Sequence, residues 1–133
     1  MLGGGAIGGL IAGAVALAAG MAWTSGLGLG AGLLPHALAG WISGPMSLLG
    51  GAGTGIAGWL AGLAGAALLG LLYAALGWNV RSYGTALLWG ILFAIIVWAA
   101  FARWVLPAIN PILAAYLPLL GPAWFFLHVL YGV

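Results

Sequence analysis

The sequence contains no aspartate, no glutamate and no cysteine, and its only Lys or Arg side chains are Arg81 and Arg103. A soluble domain of this length carries roughly 15 carboxylates, so their absence excludes whole classes of chemistry. Paired-carboxylate hydrolysis, carboxylate-held Ca²⁺ or Mg²⁺ and acidic proton relays have no side chain to work with. Without cysteine there are no disulfides, thiolate metal sites, iron–sulfur clusters or thiol nucleophiles. A formal charge of +2 without a basic stripe gives no grip on a phosphate backbone, and nucleic acid is not expected as a partner.

Catalysis lacks groups for the same reason. The hydroxyls of Ser25, Ser43, Ser47, Ser82, Thr24, Thr54 and Thr85 have no base held in place by an acid, so no catalytic residue and no enzyme activity is expected. Gly50-Gly51-Ala52-Gly53-Thr54-Gly55 is rich in glycine but has no lysine and no preceding strand, and it reads as a flexible lead-in to a helix rather than a phosphate cradle. A zinc site needs three or four ligands, and two histidines cannot supply them.

What is present is hydrocarbon. Hydrophobic residues make up 66% of the chain and its mean hydropathy is +1.31, which leaves too little polar surface to coat a water-soluble globule. The fold class expected is an all-α integral membrane protein, one domain of residues 1–133, with three full transmembrane helices, a shorter C-terminal helix and interfacial segments broken by proline and glycine. Residues 5–23 form the first charge-free run, roughly 28 Å as a helix against a hydrocarbon core of about 30 Å. No basic segment precedes this run, so it reads as a span rather than a cleaved signal. Residues 24–54 contain Pro35, Pro45 and many glycines, and here short helices over about 35–43 and 45–49 are expected, each opened by its proline. The second span covers 55–77 and the third 83–106, where Pro107 stops it. Pro111, Pro118 and Pro122 then break the chain, with Pro122 opening a last helix over 123–133.

Small residues recur at every fourth position. Gly8, Ala12, Ala16 and Gly20 form one row in the first span, Gly5, Gly9 and Gly13 a second, and Gly58, Gly62, Ala66 and Gly70 a third in the next span. Residues four apart share one helix face, so each row is a groove into which another backbone can come close. Trp78, Tyr83, Trp104, Arg81 and Arg103 sit at span ends and are expected at the membrane interface, with the two arginines on opposite sides.

His36 and His128 are the side chains able to ligate haem iron or chlorophyll magnesium. His128 has Trp124 four residues before it and Tyr131 three after it on one helix face, a setting suited to a porphyrin edge. Three functions are therefore open. The first is a non-catalytic accessory subunit packed among the transmembrane subunits of a larger complex, respiratory or photosynthetic, and in contact with the lipid bilayer. The second is a haem-, chlorophyll- or quinone-binding protein using His128, His36 and Trp124. The third is a small channel or transporter built on the broken segment between the first two spans.

A wider pattern runs from residue 35 to residue 132. Pro35-His36, then Gly70-Leu71-Leu72-Tyr73-Ala74, Ser82-Tyr83-Gly84-Thr85-Ala86-Leu87-Leu88-Trp89 and Leu127-His128-Val129-Leu130-Tyr131-Gly132 resemble the YagU-like small bacterial inner-membrane proteins. The resemblance implies a multi-pass protein of the bacterial cytoplasmic membrane. It implies no chemistry for individual residues.

Overall fold

Long apolar runs without proline become long helices, and the glycine- and proline-rich stretches between them become short ones. The structure is a computed structural model describing residues 2–77 and 82–133. Among these residues every regular element is helical. Helix α1 is Leu2–Gly26 and α2 is Leu33–Ser43, followed by a 3₁₀ helix over Gly44–Leu49. Helix α3 is Ala52–Leu76 and α4 is Tyr83–Ala100, which passes into a π turn over Phe101–Val105. Three short to medium helices follow: α5 (Leu106–Ile109), α6 (Pro111–Ala115) and α7 (Leu117–Gly132). Three stretches, Gly3–Gly26, Ala52–Leu76 and Tyr83–Ile109, are long and apolar enough to cross a membrane, whereas α7 at 16 residues is shorter, about 24 Å.

Two prolines act differently from the sequence expectation. Pro107 does not stop the third span, which continues to Ile109. A proline inside a helix removes one N–H and crowds the carbonyl four residues back. Here the preceding turn widens, with Leu106 N–H donating to Phe101 O, five residues back, and the chain passes Pro107 without breaking. The stop comes at Asn110, whose backbone (φ −142°, ψ 80°) is driven out of the helical region by Pro111 behind it. Asn110 then caps α6 by accepting the Leu113 N–H on its Oδ1 at 3.1 Å. Likewise Pro122 does not open the last helix. Leu117 opens it, with Pro118 in the first turn and Pro122 inside, so the helix is longer than the expected 123–133. A cap forms at α4 as well, where the Ser82 hydroxyl accepts the Thr85 N–H at 3.2 Å.

The most extensive contact in the fold is between α1 and α3. Their backbones meet where Gly5 and Gly9 face Gly70, and a Cβ on Gly70 would run into the Gly5 carbonyl and the Gly9 backbone. Gly13 lies on Ala66 in the same seam. The seam thus uses the second row of α1, not the row begun by Gly8. Gly8 is exposed with nothing within 4 Å of a Cβ built there, Ala12 and Ala16 are half-buried, and Gly20 is buried against Leu34 and Leu127. Gly58 brings α3 onto the Pro35 backbone of α2, and Gly62 sits between Leu38 and Leu17. At the other side, Gly90 of α4 and Gly132 of α7 form a further backbone contact. Helix α7 also packs on α1, so the long helices meet in the order α3, α1, α7, α4.

Candidate functional site

Helices α3 and α4 are neighbours in sequence but belong to the two ends of that packing order. Tyr73 ties them near the chain connection, where its hydroxyl donates to Ala86 O at 2.8 Å and its ring meets Phe93 edge-on. Away from that tie the helices part, and a half-open cavity of about 520 Å³ remains, bounded by α1, α2, α3, the end of α4, the π turn, α5, α6 and α7. That volume is within the range of sites for small molecules, about 300–1,000 Å³.

The two walls differ. On one side Gly13, Ala16, Ala61, Gly62, Gly65 and Ala66 offer little more than backbone and methyl groups. On the other stands an aromatic cluster centred on Phe101, whose ring stacks on Trp41 at 6.0 Å, meets Trp124 edge-on at 6.4 Å and lies 6.0 Å from the His128 imidazole. Phe101 begins the π turn, so the turn that carries the chain past Pro107 also sets a ring against the cavity. π turns are frequent at functional sites.

His128, Trp124 and Tyr131 share one face of α7 and all three line the cavity. The Nδ1 of His128 lies 2.8 Å from Trp124 O. A carbonyl only accepts, so Nδ1 carries the hydrogen and, in the neutral ring, Nε2 keeps its lone pair. Nε2 has no hydrogen-bond partner among the described residues. Tyr131 reaches across the bundle and donates its hydroxyl hydrogen to Ala66 O at 2.7 Å, leaving its oxygen able to accept. The remaining wall is almost entirely hydrocarbon, and Arg103 is not among its residues. No family model, curated protein or solved structure matches this chain. The likeness to YagU-like proteins therefore rests on the short motifs quoted above.

His36 has a different setting. Its Nδ1 lies 2.7 Å from Gly32 O, and its Nε2 lies 2.9 Å from Gly50 O and 3.2 Å from Gly51 O. Backbone oxygens face both nitrogens, so His36 staples the start of α2 to the lead-in of α3, and neither nitrogen points at a cofactor position. The structure does not bring His36 and His128 into one site: among the described residues no cluster of three metal-ligating side chains exists, and His36 is not on the cavity wall. Of the interface residues, Tyr83, Arg103 and Trp104 are exposed, while Trp78 and Arg81 lie outside the described residues.

Two features of the site, and one beside it, had no direct reading in sequence. Phe101 enters through the π turn, for which Pro107 in an otherwise unbroken apolar run is the signal. The bond from Tyr131 to Ala66 joins residues 65 apart in the chain. Asn110 is fully buried, and its Nδ2 has no partner, as is also true of the neighbouring Ser47 hydroxyl. Both atoms lie against Gly40, at 3.2 and 3.4 Å from the position of a Cβ there.

Proposed function

We propose that this chain is a multi-pass integral membrane protein, of a bacterial cytoplasmic membrane as the YagU-like motifs imply, that holds a lipophilic molecule inside its helical bundle. The observation that carries the proposal is the apolar cavity with the His128 imidazole and the Tyr131 hydroxyl on one wall. Burial of hydrocarbon drives binding at such a site, and one or two polar atoms orient what is bound. The three long helices and the exposed leucines, isoleucines and tryptophans around them supply the apolar exterior that lipid would cover. The function is binding rather than catalysis, since no acidic group and no activated nucleophile adjoins the cavity.

The test is to purify the chain in lipid nanodiscs from its native membrane, extract it with organic solvent and analyse the extract by mass spectrometry alongside an absorption spectrum. A lipophile enriched well above its share of the surrounding membrane is the expected result. A colourless preparation whose extract matches bulk lipid would overturn the reading.

A second reading, a subunit of a larger membrane complex, is favoured by the outward glycines of α1. Gly4 and Gly8 have open space where a side chain would stand, a row free for another helix. Co-purification in mild detergent tests this, and a lone chain at native abundance counts against it. The two readings are compatible, because a subunit can carry a bound lipophile. Transport has no coupling carboxylate and no polar path through the cavity to support it.

A further inference from the structure

The polar atoms of the cavity define what can sit there. Among the described residues its wall has no charged side chain: the sequence has no acid, and Arg103 is exposed and not part of the wall. An ion buried without a counter-charge is strongly disfavoured, so a fatty-acid carboxylate, a phospholipid headgroup or a haem propionate has no partner inside. The part of the occupant inside the cavity is therefore neutral. Its polar group must also match what the wall leaves unpaired. His128 donates through Nδ1 to Trp124 O and presents only a lone pair at Nε2; Tyr131 donates its one hydrogen to Ala66 O and presents only lone pairs. Both ask for a donor. A hydroxyl group supplies one, whereas a ketone, an ester or a quinone carbonyl only accepts and would leave Nε2 unpaired.

We infer that the occupant is a neutral lipophile carrying a hydroxyl group, a phenol or alcohol on a largely hydrocarbon body, and that this hydroxyl donates to Nε2 of His128. The inference rests on the cavity being a binding site and adds the chemistry of its ligand. The hydrocarbon body lies along the small-residue wall at Gly65, where a Cβ would meet nothing within 4 Å. The aromatic cluster of Phe101, Trp124 and Trp41 covers the opposite face. Quinones in their oxidised form, carotenes without hydroxyls and charged lipids are poor ligands on this account.

The experiment uses the full chain in nanodiscs of neutral lipid, with two probe pairs. One pair is an alkylphenol and its methyl ether, the other a farnesyl-type alcohol and its methyl ether. Binding is read from tryptophan fluorescence, and the Nε2 resonance is followed in protein labelled with ¹⁵N-histidine. The expected result is a preference of about tenfold or more for at least one hydroxyl compound over its ether, because the ether leaves a buried acceptor unsatisfied. The Nε2 resonance should move with the hydroxyl compound and stay with the ether. In His128→Phe the preference should fall to near unity while both compounds still bind. The phenol and alcohol pairs separate the two kinds of hydroxyl.

Equal binding of hydroxyl and ether would overturn the inference and leave the lipophile site standing. No binding of either compound of either pair, with an extract that matches bulk lipid, would remove both. A tetrapyrrole absorption band in the purified protein would also overturn the inference, since Nε2 would then be a metal ligand, while the cavity would remain a site. If His128→Phe does not fold, the wild-type resonance still decides.

Discussion

The seam between α1 and α3 and the region around α7 solve the same packing problem in opposite ways. Along the seam, glycine meets glycine: Gly5, Gly9 and Gly70 bring two backbones together until no side chain fits between them. Around α7 the same helix α3 turns Gly62, Gly65 and Ala66 toward large rings, and space is left over. Small residues therefore do not have one meaning in this chain. Where both partners are small, the helices close; where one partner is small and the other aromatic and tethered, a cavity stays open. Tethering is what separates the cases, because Phe101 is fixed by the π turn and Tyr131 by its bond to Ala66.

The largest effect is expected from breaking the closed side. A valine at Gly70 would drive its side chain into the Gly5 carbonyl and the Gly9 backbone, neither of which can move without moving a helix. Gly70→Val should destabilise the bundle by about 3 kcal/mol or more, at or above the upper end for overpacking at a close contact. Gly8→Val is the matched control on the same pair of helices. With nothing within 4 Å, it should change stability by no more than about 0.5 kcal/mol. Thermal unfolding in detergent, followed by circular dichroism, compares the two. If Gly8→Val proves the more damaging, the assignment of the seam is wrong.

Gly65 tests the open side. It lies on the cavity wall in the middle of α3, and a Cβ there meets nothing within 4 Å. An alanine at that position removes the conformational cost of a helical glycine, so Gly65→Ala should stabilise the protein by about 0.5–1 kcal/mol. Gly65→Leu should keep the fold and fill part of the cavity, weakening binding of the alkylphenol several-fold. A glycine-to-alanine change of the same size at Gly70 should have the opposite sign, since even one methyl there meets backbone.

The sequence showed the long helices, because charge-free runs of spanning length leave few alternatives. It also showed that rows of small residues would serve close packing, but not which row, since Gly8-Ala12-Ala16 and Gly5-Gly9-Gly13 both present a narrow face and the partner helix decides between them. Proline misled twice. Pro107 reads as a stop in any local rule, yet a π turn carries the helix past it, and the true stop is set by Pro111 acting on Asn110. At the site, the shared face of Trp124, His128 and Tyr131 followed from helical spacing alone. Its meaning did not, because the lone pair of His128 depends on where Nδ1 donates and the cavity depends on contacts between distant helices. The sequence favours His128 over His36 through Trp124 and Tyr131 on its face, and the oxygens of Gly32, Gly50 and Gly51 around His36 separate the two further.

The smallest effect is expected at the tether across the cavity. Tyr131→Phe keeps the ring and removes only the hydrogen bond to Ala66 O. That oxygen lies inside α3 and retains the helical N–H four residues on, so it is not left bare. Hydrogen bonds between membrane helices average about 0.6 kcal/mol, and a loss of that size is expected in unfolding measurements. The local consequence should be larger than the global one. Without the bond α7 is held to α3 less firmly, and the wall that carries His128 can shift out of register with the small-residue wall. Tyr131→Phe should therefore weaken alkylphenol binding by more than its small change in stability accounts for, and Gly65→Ala should not. Equal binding in Tyr131→Phe and wild type would mean that Phe101 and the π turn hold the cavity open unaided.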